Sequence, residues 1–239
     1  MRAPITTIAV AGAAGYVGSE IARAVTNSGR SLIPVLRGDS PEELFAQADA
    51  VIHAANPARR FQAEQNPERD FVETVDKTSR LLTAAGSKPF LLVSSLSCRT
   101  QLHLCYSRHR RACELMALAV GATVVRLGPM FGGSRTRDVL HDILTGRSVF
   151  VSAGSRYAYV DVAWAAQQIV GLMGTGAGIR EIGARNGLRL DEIARRFASI
   201  SSFQGDDDTQ IPENCPEGPD ASEVFEFAER EHVRLPARQ

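Results

Sequence analysis

The amino-acid sequence predicts an α/β protein built on a doubly wound parallel sheet. Three observations carry this. Strand-length apolar runs alternate with helix-length amphipathic segments across short connections, the rhythm of a parallel sheet covered on both faces. A glycine-rich turn stands directly between the first run and the first helix. The run PFLLVSSLS (89–97) is so continuously apolar at its start that it suits a strand buried on both sides. Right-handed crossovers then wind the helices onto both faces.

Each element has a local reason. TTIAVAGAAGYVGSEIARAVTNSG (6–29) reads as a β-branched strand, a glycine turn and an amphipathic helix that stops at Asn27-Ser28-Gly29. SLIPVLR (31–37) is a second strand. SPEELFAQA (40–48) opens like a helix, with Ser40 as N-cap, Pro41 in the first position and Glu43 completing a capping box. DAVIHAA (49–55) is a third strand, and PERDFVETVDKTSRLLTAAG (67–86) one long helix stopped by Gly86. After the fourth strand, 106–120 reads as a helix and ATVVRLG (122–128) as the fifth strand.

Beyond Gly132 the rhythm loosens. Residues 137–146 and 160–173 look helical, and 179–200 reads as strand, turn and helix. The polar, proline-rich segment 204–219 is a loop, followed by a final helix over 221–232. The expected division is a dinucleotide-binding domain over 1–132, with late sheet elements from about 150–185, and a small mixed α/β substrate-binding lobe over 133–239.

Composition narrows the function. Among 239 residues, Lys plus Arg and Asp plus Glu both number 27, so the basic surplus typical of nucleic-acid or anionic-membrane binding is absent. The cluster Arg108–Arg111 is therefore a poor candidate for a nucleic-acid patch. Cys98, Cys105, Cys113 and Cys215 form no C-x-x-C pair and show no zinc spacing, so free thiols, no metal and a reducing compartment are expected. Neither a signal peptide nor a membrane-length apolar run is apparent, and the expected location is the cytoplasm.

Gly12, Gly15 and Gly18 fall where a strand gives way to a helix. A pyrophosphate site needs glycines there for a tight turn, for close backbone approach and for helix-to-sheet packing. The helix N-terminus adds unpaired N–H groups and the positive end of the dipole. Together with DAVIHAA, VSSLS (93–97) and Tyr106 ahead of a helix, the G-x-x-G-x-x-G spacing resembles the extended short-chain dehydrogenase/reductase family. The similarity is to its NAD-dependent epimerase/dehydratase branch, which modifies nucleotide sugars. RLGPMFGG (126–133) is similar to the family's Arg-Pro-x-x-x-Tyr-Gly stretch, and YAYVDVAWAA (157–166) to its Val-Asp-Asp-Val-Ala segment. The resemblance covers roughly residues 6–200 and implies a Rossmann-type fold. It implies cofactor contacts from Gly12, Gly15, Tyr16, Val17, Gly18, Arg37, Ala54, Ala55, Tyr106, Arg110 and Leu127.

The cofactor is read from the end of the second strand. An acid there binds the ribose 2′-hydroxyl, whereas an arginine suits a 2′-phosphate. Arg37 favours NADP; a strand running on to Asp39 would favour NAD, and Arg37 could also be a solvated loop charge. The family usually has a further strand before DAVIH. Here that strand is either lost or merged into SLIPVLRGD (31–39).

The resemblance also implies a catalytic group. Family members place a Ser or Thr after the fourth strand, a general acid/base Tyr about a dozen residues on, and a Lys four further. Ser95 and Tyr106 match, but Arg110 replaces the Lys. Unperturbed tyrosine titrates near ~10, and a nearby cation favours its ionised form. Arginine supplies that charge and a fork for ribose hydroxyls but cannot relay a proton. Other departures are Thr74 for the Asn of the Asn-Val-x-Gly-Thr stretch, Pro129 for a diphosphate-binding Asn, and Leu96-Ser97 for the Asp-Glu pair of 4,6-dehydratases. The last argues against dehydration.

Ser97 and Arg156 are the expected substrate contacts, with Arg135 and Arg137 as loop alternatives. His53 reads as a packed strand-end residue, His103 and His109 as exposed, Asp161 as structural and Trp164 as helix core. The expected function is NAD(P)-dependent reduction, most simply at a 4-keto group, or epimerisation of a nucleotide-activated sugar by a homodimer packed through the Tyr106 helix. The rival is a cofactor-binding redox sensor without turnover.

Overall fold

The computed structural model describes residues 4–135 and 137–234. The chain divides into two compact units, one of residues up to Leu127 together with Ala166–Arg180, the other of Gly128–Ala165 and the chain from Glu181 on.

In the first unit, β1 (Thr7–Ala11) leads through the glycine turn into α1 (Tyr16–Asn27), and β2 (Ser31–Val35) follows. β2 stops two residues short of the apolar run, because Gly38 takes φ +98° and Asp39 Oδ2 accepts the Leu36 N–H at 2.7 Å. α2 (Pro41–Ala46) starts as its sequence dictates, with Ser40 Oγ accepting the Glu43 N–H. β3 (Ala50–His53) is wholly buried.

α3 (Arg60–Gln65) precedes the segment expected to be one helix, which runs on as α4 (Pro67–Phe71), a π-turn (Val72–Asp76) and α5 (Lys77–Ala85) until Gly86 ends it with φ +57°. Asn66 breaks the first two, its side chain accepting the Arg69 N–H ahead of Pro67. β4 (Phe90–Ser95), α6 (Ser97–Thr100), α7 (Cys105–Ala119) and β5 (Thr123–Leu127) follow.

β1 pairs in parallel with β2 on one side and β3 on the other; β3 pairs with β4 and β4 with β5, also in parallel. The second unit begins with β6 (Met130–Phe131), α8 (Val139–Leu144), β7 (Arg156–Tyr157) and β8 (Val160–Asp161), and α9 spans Val162–Gly171. β9 (Gly178–Ile182) completes a six-stranded sheet in the order β2-β1-β3-β4-β5-β9. Only β2 lies outside β1. Being five residues long and joined by α2 directly to β3, it leaves the family's further strand absent, not merged. The chain reverses direction across the sheet between β2 and β3, so the carboxyl ends of β1 and β3 form the crevice where open α/β sheets bind ligands. One face of the sheet carries a core that includes Val35, Phe45, Val51, Leu81, Leu92, Cys113 and Val124.

The second unit holds two small ladders, β6 with β8 and β7 with β10 (Leu188–Arg189), beside α10 (Leu190–Arg196) and α11 (Glu223–Arg234). The polar segment after 204 is anchored by the buried Asp208, which accepts from Tyr157 Oη at 2.6 Å and Gln210 Nε2 at 2.8 Å.

Candidate functional site

The glycine turn is a cradle that a side chain would fill. Gly12 has φ +87°, and a Cβ there would sit 2.7 Å from the Ala55 backbone. A Cβ on Gly18 would lie 1.9 Å from the Gly12 carbonyl oxygen, so only glycine lets α1 meet β1 this closely. Gly15 is the N-cap, has no side chain to cap with, and is exposed; no acid occupies the first turn of α1. Tyr16 and Val17 open the helix, half-buried. Unpaired N–H groups at an uncapped helix start, facing a backbone floor of Ala54 and Ala55, fit a dinucleotide pyrophosphate.

Beside this cradle the charges are arranged around Glu73. Arg37, with its side chain 87% exposed, reaches Glu73 at 3.5 Å, and Lys77 reaches it at 3.8 Å. Lys77 Nζ also donates to the Ala55 carbonyl at 3.2 Å. Burial lowers the Lys77 pKa, with the neighbouring Arg37 and Arg110 adding to the effect against Glu73. Asp39 uses one oxygen to close its own turn. That leaves Arg37 and Lys77 as the cations near the end of β2.

At the end of β4, Ser95 Oγ accepts from Ser97 Oγ at 3.0 Å and from Ser97 N at 3.3 Å. With both donors directed at its oxygen, the Ser95 hydrogen is left to donate elsewhere. Ser97 itself is fully buried. Its hydroxyl is directed at Ser95.

Tyr106 and Arg110 are both 6% exposed, one turn apart on α7. The Arg110 guanidinium lies over the Tyr106 ring, 4.8 Å from its centroid, and Arg60 approaches the same ring at 5.9 Å. Arg110 Nη1 donates to the Val93 carbonyl at 3.3 Å, and Nη2 donates to Asn56 and Pro57 carbonyls at 3.2 and 2.9 Å. Three of its five N–H donors tie α7 to β4 and to the loop after β3, while its buried Nε has no partner among the described residues. This clamp ties the part of α7 that carries Tyr106 to β4 at Val93, two residues before Ser95.

His53 is fully buried at the end of β3, as its apolar surroundings suggested. Thr78 Oγ1 gives its hydrogen to the Thr74 carbonyl at 2.7 Å, so His53 Nε2, 3.0 Å away, must be the donor to Thr78. His53 Nδ1 accepts the Ala55 N–H at 3.2 Å. The ring is therefore the neutral Nε2–H tautomer, and burial, then Lys77 and Arg110, push its pKa down to about 3. It is a peg that fixes the Ala54–Ala55 floor.

His109 is not the exposed residue expected. It is mostly covered, and its Nδ1 lies 2.7 Å from Asp70 Oδ2. Trp164, expected in the core, is half-buried, and Thr74 is buried with its carbonyl taken by Thr78 and Cys113. Leu127 ends β5, its carbonyl accepting the Leu96 N–H at 3.0 Å. Arg156 belongs to the second unit, where its Nη2 donates to the Gly187 carbonyl at 3.1 Å. Arg135 and Arg137 also belong there, and Asp161 caps α9 by accepting the Ala163 and Trp164 N–H groups.

Residues 8–100, from β1 through α6, match the NAD dependent epimerase/dehydratase family. No curated protein is a significant match to the sequence. Among solved structures, UDP-glucose 4-epimerase with UDP-glucose from Thermotoga maritima superposes with a TM-score of 0.78 at 16% identity, over 95% of this chain and 98% of the other. UDP-N-acetylglucosamine 4-epimerase from Methanobrevibacter ruminantium M1, in complex with UDP-N-acetylmuramic acid, gives 0.77 at 14% identity, over 97% and 98%. RMD from Pseudomonas aeruginosa complexed with NADPH gives 0.70 at 18% identity, over 87% of each chain. These likenesses are of fold.

Set against the epimerase/dehydratase pattern, one residue was passed over in the sequence. TVDKT (74–78) places Lys77 where the family stretch Asn-Val-x-Gly-Thr has its glycine. The gain of an ammonium at a position that loses only a hydrogen was the available signal. The π-turn just before Lys77 belongs to a helix class that recurs at functional sites.

Proposed function

We propose that this protein is an NAD(P)-dependent enzyme acting on a nucleotide-activated sugar, and that its reaction is reduction of a 4-keto group with NADP as the preferred cofactor. The observation that carries the reading is the Ser95–Tyr106 arrangement. Arg110 stacks on Tyr106 and bonds to β4 at Val93, and two residues on, Ser95 accepts from Ser97 and keeps its own hydrogen to donate. The family match and the nucleotide-sugar enzymes among the structural neighbours support the broader statement.

Gly12, Gly15 and Gly18 would admit the pyrophosphate, with Arg37 and Lys77 at the adenosine side. Bound there, a nicotinamide cofactor supplies or accepts a hydride. Ser95 would hold the substrate oxygen, and Tyr106 would give it a proton on reduction or take one on oxidation. Arg110 acts behind Tyr106 as a fixed cation and a clamp. Leu96 and Ser97 offer no acid/base pair for elimination, which favours hydride chemistry alone. The exposed cation of Arg37, held only by a long contact to Glu73, and the engaged Asp39 favour a 2′-phosphate, and the NADPH complex among the neighbours is in keeping with that. Leu115, exposed on α7, with Phe71 and Val72 on the neighbouring helix, would serve a homodimer.

The test is turnover of NADPH against a panel of nucleotide 4-keto sugars, followed by nicotinamide absorbance. Turnover that falls by at least about a hundredfold in Tyr106→Phe supports the reading, since general acid/base groups contribute about 10²–10⁴-fold. Cofactor binding without turnover across the panel would overturn it in favour of a sensor.

A further inference from the structure

Outside the cofactor cradle, α4 and the first turn of α7 bring together three side chains that the reaction does not use. Cys105 and His109 stand four apart on α7, hence on one face, and Asp70 projects from α4. His109 Nδ1 is 2.7 Å from Asp70 Oδ2, and Cys105 Sγ is 3.6 and 3.7 Å from the two ring nitrogens. All three ligand atoms fall within 4.8 Å of one another. Cys105 is 4% and Asp70 8% exposed, while His109 keeps an 18% exposed side chain as a way in from solvent.

We infer that Asp70, Cys105 and His109 form a binding site for a divalent transition-metal ion of the zinc class. The separations suit the chemistry. Zinc–sulfur and zinc–imidazole bonds of about 2.3 and 2.0–2.1 Å in a tetrahedral site put S and N about 3.5–3.6 Å apart. Cys105 Sγ is already near this distance from the ring nitrogens, and because it is almost equidistant from both, the ion enters as the imidazole turns to aim Nδ1 at it, with the ring proton on Nε2 and the Asp70–His109 hydrogen bond opened. A thiolate, a carboxylate and a neutral imidazole balance a 2+ ion, and the proton displaced from the Cys105 thiol leaves to solvent. Water completes the fourth position.

The nearest cation on the helix is directed away: Arg108 donates to the Leu102 and His103 carbonyls. Glu64, accepting the N–H of Cys105 and of Tyr106, adds a further negative charge at the helix start. Phe71 shields the imidazole edge-on at 5.6 Å between ring centres. Since Tyr106 follows Cys105 directly, an ion here pins to α4 the turn that carries Tyr106. The site itself is independent of nicotinamide chemistry.

Cobalt(II) alone, titrated into the metal-free full-length protein without added thiols, tests this. The expected result is one equivalent bound, with a thiolate-to-cobalt charge-transfer band and intense visible bands of tetrahedral cobalt, both bleached by zinc(II). Cys105→Ser abolishes the charge-transfer band, and His109→Ala weakens binding at least tenfold, each with an unaltered circular dichroism spectrum. If Cys105→Ser fails to fold, His109→Ala and Asp70→Asn carry the test. No thiolate band in the wild-type protein, a band that survives Cys105→Ser, or undiminished affinity in both His109→Ala and Asp70→Asn would overturn the site.

Discussion

Replacing Arg110 by lysine would restore the family's Tyr-x-x-x-Lys pattern, and the structure says that it should harm the protein. The guanidinium spans two anchors at once, the Val93 carbonyl on β4 and the Asn56 and Pro57 carbonyls in the loop after β3. An ammonium is a single point and cannot reach both. Hydrogen bonds from charged donors are worth about 1.5–3 kcal/mol each. Two of these three are long, at 3.2 and 3.3 Å, so one ammonium bond retained leaves a deficit of about 2–3 kcal/mol. The stack on Tyr106, 4.8 Å from the ring centroid, adds about 0.5–1 kcal/mol. Arg110→Lys should therefore lose about 3 kcal/mol in urea unfolding, from the sum of these contributions. NADPH affinity, titrated by fluorescence well below the unfolding midpoint, should change by less than about tenfold, or ~1.4 kcal/mol. A variant as stable as the parent, within about 0.5 kcal/mol, would refute the clamp. So would collapse of NADPH binding with stability intact, which would return Arg110 to the cofactor.

Three further outcomes follow from the same unit. Arg37→Ala should weaken NADPH by about ten- to a hundredfold and leave NADH unchanged, since one charge-assisted contact to the 2′-phosphate is removed; equal effects on both cofactors would argue against Arg37 as the discriminator. Glu114 is fully buried and accepts from Arg126 at 2.9 and 2.7 Å, from Ser94 at 2.7 Å and from Arg111 at 2.8 Å. Burial raises its pKa, but these bonds outweigh burial and hold it below 4.5, so its stabilisation is present above that pH and lost as pH falls through the lower folded value. Glu114→Gln, which strands Arg126, should cost about 3–5 kcal/mol at neutral pH in urea unfolding. His53 is held neutral at a folded pKa of about 3 against 6.5 unfolded, so its contribution is complete above pH 6.5 and lost as pH falls towards 3. Within that window the wild type should lose about 1.4 kcal/mol per pH unit more than His53→Asn; parallel pH profiles would refute the neutral peg.

The strands and capped helices were legible because their causes are local. Apolar runs marked β1, β3, β4 and β5 to within a residue or two at most ends, and Ser40-Pro41 marked the start of α2. What was not legible depends on partners distant in sequence. β2 ends early because Asp39 folds back on Leu36, and the family's further strand is missing because the chain crosses from β2 to β3 with only α2 between. Nothing in PERDFVETVDKT announces a π-turn, nor in SSLS that the Ser97 hydroxyl donates to Ser95. Arg110 could be placed beside Tyr106 from the helical period, but its carbonyl partners lie 17, 53 and 54 residues away.

The segment Arg108–Arg111 shows why composition alone misleads about such a cluster. Successive helical residues turn about 100° from one another, so four basic side chains in a row cannot form one patch. Arg108 points out and caps the preceding loop; His109 turns to Asp70; Arg110 turns inward beneath Tyr106; Arg111 swings to the buried Glu114. Arg108, His109 and Arg110 are engaged by groups outside α7, and Arg111 by Glu114 of the same helix, which also accepts from Arg126 on β5. A lysine at 110 would meet the family pattern while leaving two carbonyl anchors unserved, which is the physical case for arginine at this position.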